Sequence, residues 1–383
     1  MANTLTKLIP TLYQGLDEVS RELVGLIPSV ARNSSAERAA LGENVYVPLS
    51  TALSAVNVAP SMVVPEPADF KTDGVSIVIN KSKAVSFGLT GEEYQGLNNG
   101  IGADYIIGEN FKQAIRTLTN EIEKDIAAEG KMNASAAFGN GGQTPFANGL
   151  GDAAEVRKLL DDAGAPLAQR SLIIDTAAGV NLRKLTQLTN VGDAGTSMTL
   201  RQGELLDLFG LSVKESAAVK AGENAPKGNA ADVTIAIAHK GATRLRVTAG
   251  NGTINAGDYI SIAGDANKYM VIKTIDVTAD EATIKIAQPG LRQDAPDASA
   301  VTVEDKGVSN LAFTRNAIQL VTRAPALPGG KDSAVDNYMI TDPRSGMSFE
   351  IRVYEGYRKM RAEVACAWGV KVIKPEHVVA LLG

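Results

Sequence analysis

The strongest constraint on the fold is the alternating segment "SFEIRVYEGYRKMRAEVACAWGVKVIKPE" at 348–376. The residues on both sides of Gly356 alternate as β-strands do, which predicts a long two-stranded ribbon. The period of two places on one face of the second strand Met360, Ala362, Val364, Cys366 and Trp368. This face includes the only Cys and the only Trp of the chain. We therefore interpret Cys366 as a small core residue.

A second pattern predicts a long amphipathic helix over 109–131, "ENFKQAIRTLTNEIEKDIAAEGK". Its apolar stripe recurs at helical spacing and consists of Phe111, Ile115, Leu118, Ile122 and Ile126. The remaining faces carry Arg116, Glu121, Glu123, Lys124, Asp125 and Glu129. One side of the helix is thus expected to be buried and the others wet, and Gly130 is predicted to end it.

The N-terminal residues predict an amphipathic helix over 12–27 that ends before Pro28. Its apolar positions are Leu12, Leu16, Val19, Leu23 and Leu26. The next segment, "SVARNSSAERAALGE" (29–43), is polar and small, so we interpret it as a linker that carries the helix on a mobile arm. The pattern equally allows an ordinary first helix docked on its own domain.

Two segments, "NVYVPLS" (44–50) and "GVSIVINKSKAVSFGLT" (74–90), are predicted as two strands. The more than twenty residues between them contain Pro60, Pro65 and Pro67 and show no helical period. Connections of this length without structure are usually functional. We interpret the region as a two-stranded arm that would be stable only when packed on another surface.

The middle of the chain predicts a mixed α/β region over 151–223, from the helix "DAAEVRKLLDDAG", the strand "RSLIID" and the helix "AAGVNLRKLTQL". From about residue 224, short strands separated by Gly, Asn and Asp predict a small sandwich or barrel. The helical and mixed pattern resumes with "NLAFTRNAIQLVTRAP" at 310. A β-module over 224–308 is therefore predicted to be inserted into a host domain.

Composition narrows the function classes. The 383 residues suffice for two or three domains, and the net charge of −5 argues against sequence-specific nucleic-acid binding and favours at most a loose contact. A single Cys excludes an intramolecular disulfide framework and agrees with a reducing compartment. The sequence shows neither a signal peptide nor an apolar run of membrane-spanning length.

The search for catalytic groups finds little. The two histidines, His239 and His377, are both interpreted as surface residues, and their number removes most zinc and Cys–His sites. The Gly-rich stretch at 139–149 follows a helix and is interpreted as a flexible loop rather than a phosphate cradle. The acidic pairs, all interpreted as solvated surface, are Glu92–Glu93, Asp161–Asp162 and Asp280–Glu281. We therefore predict no enzymatic activity, no cofactor and no metal.

A basic cluster lies in the C-terminal ribbon and consists of Arg352, Arg358, Lys359 and Arg361, interleaved with Tyr354 and Tyr357. Such a mixture is typical of contacts with anions or nucleic acid. Because the chain as a whole is acidic, we predict instead that the cluster pairs with acidic groups on a neighbouring element or subunit.

The order of these segments resembles the major capsid proteins of tailed double-stranded DNA phages, the Hong Kong 97 fold, and most of all the Salmonella podophage coat with its inserted β-domain. "NVYVPLS" with "DFKTDGVSIVINKSKAVSFGLT" is similar to the family's extended loop, and 109–131 to its spine helix. "INAGDYISIAG" and "ATIKIAQPGL" resemble strands of the inserted domain. "NLAFTRNAIQLVTRAPALP" resembles the return into the axial domain, and "RKMRAEVACAWGVKVIKPEHV" the closing strand.

The resemblance implies an α+β fold of this capsid type. Its parts would be an N-terminal arm (1–34), an extended loop (35–80), a peripheral domain (81–150 and 345–383) with the spine helix (109–131), an axial domain (151–223 and 309–344) and an inserted small β-barrel domain (224–308).

The function implied by the resemblance is structural: self-assembly into pentamers and hexamers of an icosahedral head enclosing double-stranded DNA. The partners would be other copies of the chain, a scaffolding protein, a portal and loosely contacted DNA, with assembly in the host bacterial cytoplasm, residence in the virion capsid and no membrane partner. The expected interface residues are Leu12, Leu16, Leu23, Glu66, Asp69, Lys71, Asp73, Arg352, Arg358 and Lys359. Deleting residues 1–28 is expected to leave the monomer folded but to impair assembly.

Other classes of function remain open from sequence. A β-rich surface module could recognise a glycan through 224–308, but that region contains only Tyr259 and Tyr269 as aromatic residues. An enzyme would have to work with carboxylates alone. A nanocompartment shell of the same fold is a further alternative, although the inserted domain favours a phage coat.

Overall fold

The computed structural model describes residues 24–50, 55, 57, 60, 72–98, 103–189, 205, 207–220, 227–277, 282–330, 332–341 and 346–383. Most of the helix predicted over 12–27 lies outside these residues. Helices and sheets are mixed along the described chain, as predicted. The helices are α1 (Gly91–Asn98), α2 (Ala103–Met132), α3 (Gly151–Asp162), α4 (Thr176–Lys184) and α5 (Thr186–Thr189).

The strands fall into two large sheets and two hairpin-like pairs. In chain order they are β1 (Ala31–Ala39), β2 (Asn44–Ser50), β3 (Thr72–Val78), β4 (Lys81–Thr90), β5 (Ala136–Gly139), β6 (Arg170–Ile174), β7 (Ser212–Glu215), β8 (Ala231–Ile235), β9 (Arg244–Asn251), β10 (Thr253–Ile254), β11 (Tyr259–Ile262), β12 (Lys268–Met270), β13 (Ile275–Asp276), β14 (Thr283–Lys285), β15 (Ser299–Val303), β16 (Ser309–Thr314), β17 (Ile318–Pro325), β18 (Asp336–Thr341), β19 (Ser348–Gly356), β20 (Lys359–Val372) and β21 (Val378–Leu382).

The predicted C-terminal ribbon is confirmed as the antiparallel pair β19–β20, the centre of a six-stranded sheet that we call the long sheet. Along one edge, β20 pairs with β4. Along its other edge, the first part of β20 pairs with β19 and the last part with β17. β18 pairs with β19 and β1 with β17, which completes the sheet. Gly356 pairs with Lys359, so Tyr357 and Arg358 form the turn.

Helix α2 covers one face of the long sheet. Its five predicted stripe residues are all buried, in one core with Val364, Cys366 and Trp368. Phe87 of β4 meets Phe111 edge to face, with ring centroids 4.8 Å apart. The helix does not end at Gly130: a Cβ there would lie 2.8 Å from Leu311, so this glycine permits close packing rather than a stop.

The linker predicted at 29–43 is wrong, because residues 31–39 form strand β1. β1 pairs in parallel with β17 from Ala31 opposite Gln319 to Ala39 opposite Pro325. A polar strand is stable at this sheet edge because its polar groups find partners in the sheet; Arg323, for example, donates to the Asn33 carbonyl at 2.8 Å.

The single strand predicted at 74–90 is two strands, β3 and β4, whereas β2 is confirmed. β2 and β3 form a separate two-stranded sheet of seven residue pairs, which we call the hairpin. The break lies at Ile79, whose N–H and C=O bond to the turn before β2, with Glu43 and Gly42. Ile79 is buried, so the alternation of buried and exposed side chains continues across this residue, although the β2–β3 hydrogen-bond ladder has ended.

The second large sheet has eleven strands. The strand predicted at "RSLIID" is confirmed as β6, between β7 and β16. The helix predicted after it is confirmed but divides at Leu185 into α4 and α5. The helical and mixed pattern predicted from 310 is wrong, because this segment forms β16 and β17. β16 is buried along its length, and a continuous apolar run does not distinguish a buried strand from a helix.

Residues 231–303 surround an apolar cluster of their own, whose buried members run from Val233 to Val303. Strand β12 joins this part of the sheet to β5 through the pair Lys268–Ala137. The segment "YMVIKTIDV" (269–277) contributes to two strands, β12 and β13.

Candidate functional site

The described residues offer little for catalysis. They contain no group of three or more His, Cys, Asp or Glu side chains that could hold a metal ion. None of the described helices is long and apolar enough to cross a membrane. Cys366 is buried as predicted, and burial raises the pKa of its thiol to about 12, which leaves it protonated and unreactive at neutral pH.

The two histidines differ in environment. His239 is exposed, as predicted, near Asp294. His377 is buried, so the surface prediction for it is wrong: a short 3₁₀ turn, Pro375–His377, carries it into the body just before the buried strand β21. Burial lowers the pKa of His377 below its ordinary value of 6.5.

This burial predicts a pH dependence of stability. Because the pKa of His377 is lowered in the folded state, the unfolded chain binds more protons than the folded chain just below pH 6.5. The stabilisation that neutral, buried His377 provides is therefore complete above pH 6.5. It is lost as the pH falls towards the pKa that His377 has in the folded state. Between about pH 7.5 and about pH 5.5, the free energy of unfolding measured with urea should fall less for His377→Gln than for the parent chain. His239→Gln is the exposed control, and equal losses in all three proteins would contradict the assignment.

The Gly-rich stretch at 139–149 borders a cavity of 590 Å³. Phe146, inside the stretch, is buried and donates its N–H to Asp152 at 2.7 Å. Among the described residues that line the cavity there is no Lys or Arg, so its lining lacks the cation that phosphate sites commonly use.

One end of the hairpin formed by β2 and β3 packs on the long sheet, and we call this end its base. At the base, Ile77 is buried with Val321 and Ala367 of the long sheet. Further out, Tyr46 is 68% exposed, and its ring lies over Gly74, where a Cβ would overlap it. Of the predicted interface residues, Asp73 lies in β3 opposite Leu49, whereas Glu66, Asp69 and Lys71 lie outside the described residues, as do Leu12, Leu16 and Leu23.

The turn of the β19–β20 ribbon is an exposed region that contains predicted interface residues, and we call it the tip. Tyr357 is 88% exposed, and the Arg358 guanidinium lies 5.5 Å from the centre of its ring. Lys359 is exposed beside it. The Arg358 carbonyl accepts the Gly91 N–H at 3.0 Å, which fixes the tip against the start of α1.

Arg352 does not lie with the other predicted residues at the tip. It is 4% exposed, and its guanidinium bonds to Asp332 at 2.6 Å and to Glu350 at 3.1 Å. Glu350 also accepts two hydrogen bonds from Arg38 of β1, at 2.5 and 3.1 Å. Arg352 therefore joins elements within the chain, while Arg358 and Lys359 face solvent.

Sequence reasoning missed the most elaborate polar site, which surrounds Glu123. This residue was predicted on a wet face of α2, but it is 3% exposed. Its carboxylate accepts the N–H groups of Gly25, Leu26 and Ile27 at 2.8–3.0 Å and the hydroxyl of Ser216 at 2.8 Å. Burial raises the pKa of Glu123, and the four hydrogen bonds oppose that rise.

A signal for Glu123 was present in the sequence. It follows Thr119 by four residues and precedes Ala127 by four, and all three are buried. With Ala114 and Gly130, these residues widen the apolar stripe into a second, small-residue face. A stripe this broad indicates that the helix is buried on two sides. An acidic residue inside such a stripe needs hydrogen-bond donors around it.

The comparisons with known proteins give likeness in fold only. No protein-family model and no curated protein matches the chain. Among solved structures, the chain is similar to "Mycobacterium phage Che8" at 14% identity and TM-score 0.45, over 89% of this chain and 84% of that one. It is similar to "Capsid of native GTA particle computed with C5 symmetry" at 10% identity and TM-score 0.48, over 94% and 90%. It is also similar to the "virus-like particle from Pyrococcus furiosus" at 11% identity and TM-score 0.43, over 97% and 96%.

Proposed function

We propose that this chain is a structural subunit of a phage capsid shell, with the Hong Kong 97 type of fold and an inserted β-domain. The observation that carries the proposal is the hairpin: seven residue pairs long, and without a third strand in its ladder among the described residues. Its contact with β20 includes a side-chain hydrogen bond, from Lys371 Nζ to the Ser76 carbonyl at 2.9 Å. A two-stranded hairpin is marginal in water, and it gains stability when it packs on another surface. In a shell, that surface is a neighbouring copy.

The long sheet offers a suitable surface for such a contact. Helix α2 covers one of its faces, and the side chains of Val85, Phe87 and Leu89 pack there. Alternation along β4 places small residues on the opposite face, namely Ser82, Ala84, Ser86, Gly88 and Thr90. On the same face, Arg361 and Glu363 of β20 lie beside Gly88 and Ser86. The small side chains therefore form a low strip along β4, which favours close approach by an extended segment of another copy.

The tip and the segment between β2 and β3 in the sequence differ in the sign of their charge. The tip presents Arg358 and Lys359, and the segment 51–71 carries Glu66 and Asp69 against the single Lys71. We propose that these groups meet between copies. Exposed ion pairs of this kind contribute little affinity each but favour the correct register.

We further propose that the subunits form the pentamers and hexamers of an icosahedral head around double-stranded DNA. A scaffolding protein and a portal would take part in assembly, in a bacterial host. The glycan-binding alternative has no structural support in the described residues, because Tyr259 and Tyr269 are both buried. A module that recognises sugars would be expected to expose its aromatic residues.

The test is to express the full chain and to examine its soluble fraction by size exclusion and negative-stain electron microscopy. Closed shells, tubes or spirals of repeating subunits support the proposal. A scaffold-dependent subunit would assemble only at high concentration or with a crowding agent, so the experiment includes both. A monodisperse monomer or dimer under every condition would contradict the proposal.

Charge reversal at the tip gives a sharper prediction. In Arg358→Glu with Lys359→Glu, we expect the subunit to fold normally, because both side chains are exposed, but particle yield to fall at least about tenfold through like-charge repulsion across the interface. Yield is measured by sedimentation and microscopy. The control is Lys158→Glu on the exposed side of α3, which should leave the yield unchanged. Normal particles from the tip variant would remove the tip from the interface.

A further inference from the structure

We propose that residues 24–30 are a latch and that Glu123 is its positioning residue, fixing where the N-terminal segment leaves the body of the subunit. The latch itself is a property of the single chain. Its consequence for assembly rests on the shell function proposed above.

The first argument is the convergence of donors. The consecutive N–H groups of Gly25 and Leu26 both reach Oε1 of Glu123, at 2.9 and 2.8 Å, and that of Ile27 reaches Oε2 at 3.0 Å. Ser216 Oγ donates to Oε1 at 2.8 Å. No Lys, Arg or His of the described residues lies within ion-pair distance of the carboxylate. Backbone amides thus take the place of a counter-ion, as they do in anion-binding nests.

The second argument is the fit of the backbone. A Cβ on Gly25 would lie 2.7 Å from the Glu215 carbonyl oxygen, so only glycine permits this approach. Ser29 Oγ donates to the Gly25 carbonyl at 2.7 Å, and Lys214 Nζ donates to Ser29 Oγ at 3.0 Å. The turn is therefore held from α2 on one side and from β7 and the residue after it on the other.

The third argument is the position of the latch in the chain. The latch contains a 3₁₀ turn, Ile27–Ser29, and strand β1 begins two residues beyond it. Arg38 of β1 is held by Glu350. A four-residue turn then leads to β2 of the hairpin. The latch therefore defines one end of a continuous segment that connects the N-terminal residues to the hairpin. We propose that the N-terminal residues and the hairpin each contact other copies.

The substitution Glu123→Gln separates this role from simple packing. Glutamine keeps the shape and one acceptor oxygen, but its amide nitrogen is a donor and cannot accept from the backbone. Because both carboxylate oxygens accept backbone N–H groups, either orientation of the amide leaves at least one of them without an acceptor. The expected effect is local opening of 24–30 with the long sheet intact.

The experiment is hydrogen–deuterium exchange on the unassembled full chain, followed by peptides over 24–30, β17 and β20. In Glu123→Gln, exchange at 24–30 should accelerate at least about tenfold while the β17 and β20 peptides stay protected. The matched control is Glu121→Gln, on the same helix, which loses only a partly exposed contact with Lys83. If Glu123→Gln does not fold, Ser216→Ala removes a single donor and should produce a smaller acceleration confined to the same peptide.

The outcomes separate the latch from the shell function. Unchanged exchange at 24–30 in Glu123→Gln would overturn the latch, whether or not particles form. Faster exchange with normal particle yield and diameter would overturn its role in assembly. Failure of the parent chain to assemble under any condition would overturn the shell function, while the exchange result would still decide the latch.

Discussion

Deleting residues 1–28 should strongly destabilise the subunit, whereas deleting residues 1–23 should leave it folded. The longer deletion removes Leu26 and Ile27, both completely buried in the main core. Removing a buried aliphatic side chain of this size typically costs about 2–5 kcal/mol. The same deletion removes the three backbone donors of Glu123, and unmet hydrogen bonds to a buried charge add about 1–3 kcal/mol or more.

The two deletions form a matched pair that differs by five residues, and urea unfolding followed by circular dichroism measures their stability. We expect a loss of at least about 5 kcal/mol for the longer deletion, comparable to the whole stability of many domains, and little change for the shorter one. The burial of Leu26 and Ile27 in the main core argues against the expectation from sequence that the monomer folds without residues 1–28. Under the proposed function, the shorter deletion should still reduce particle yield. Equal stability of both deletions would contradict the assigned core.

Trp368→Ala should strongly destabilise the subunit. Trp368 is completely buried beneath α2, and its indole N–H donates to Asp125 at 2.7 Å. Truncation of a buried Trp to Ala typically costs about 3–5 kcal/mol. Asp125 also pairs with Lys81 of β4 at 2.6 Å, so the substitution disturbs a contact that joins the helix to two strands.

Trp368→Phe is the companion variant. It keeps most of the apolar volume but leaves Asp125 without the indole donor, so we expect a smaller loss of about 1–3 kcal/mol. Urea unfolding followed by circular dichroism compares both variants with the parent chain. The parent can also be followed by fluorescence, because Trp368 is its only Trp. A loss below about 1 kcal/mol for Trp368→Ala would show that α2 does not pack on β20 as described.

The elements found from sequence share one property: their side-chain pattern matches the period of the backbone. The stripe of α2 repeats at helical spacing over four turns, and the inner face of β20 alternates from Met360 to Trp368. Each element has one buried side and one wet side, so its pattern is visible in the letters alone. The short strands between 231 and 303 were found because glycine-rich turns separate them.

The elements that were missed lack such a pattern. β1 is a polar strand, and only its pairing with β17 makes it a strand. β16 is buried on all sides, so it shows a continuous apolar run. β3 and β4 preserve one alternation across Ile79, although their partners change there. In each case the assignment depends on a partner distant in sequence, which local periodicity does not encode.

The candidate site divides in the same way. The sequence alone determined the amphipathic helix, the long ribbon with its turn near Gly356 and the absence of recognisable catalytic motifs, because these depend on residue type and local spacing. Only the tertiary structure decided that Arg352 and Glu123 are buried, and that Gly25, Leu26 and Ile27 supply the donors for Glu123. The physical reason is that the hydrogen-bond partners of a buried charge decide whether it can be buried, and the partners of Glu123 lie 93 to 98 residues away in the sequence.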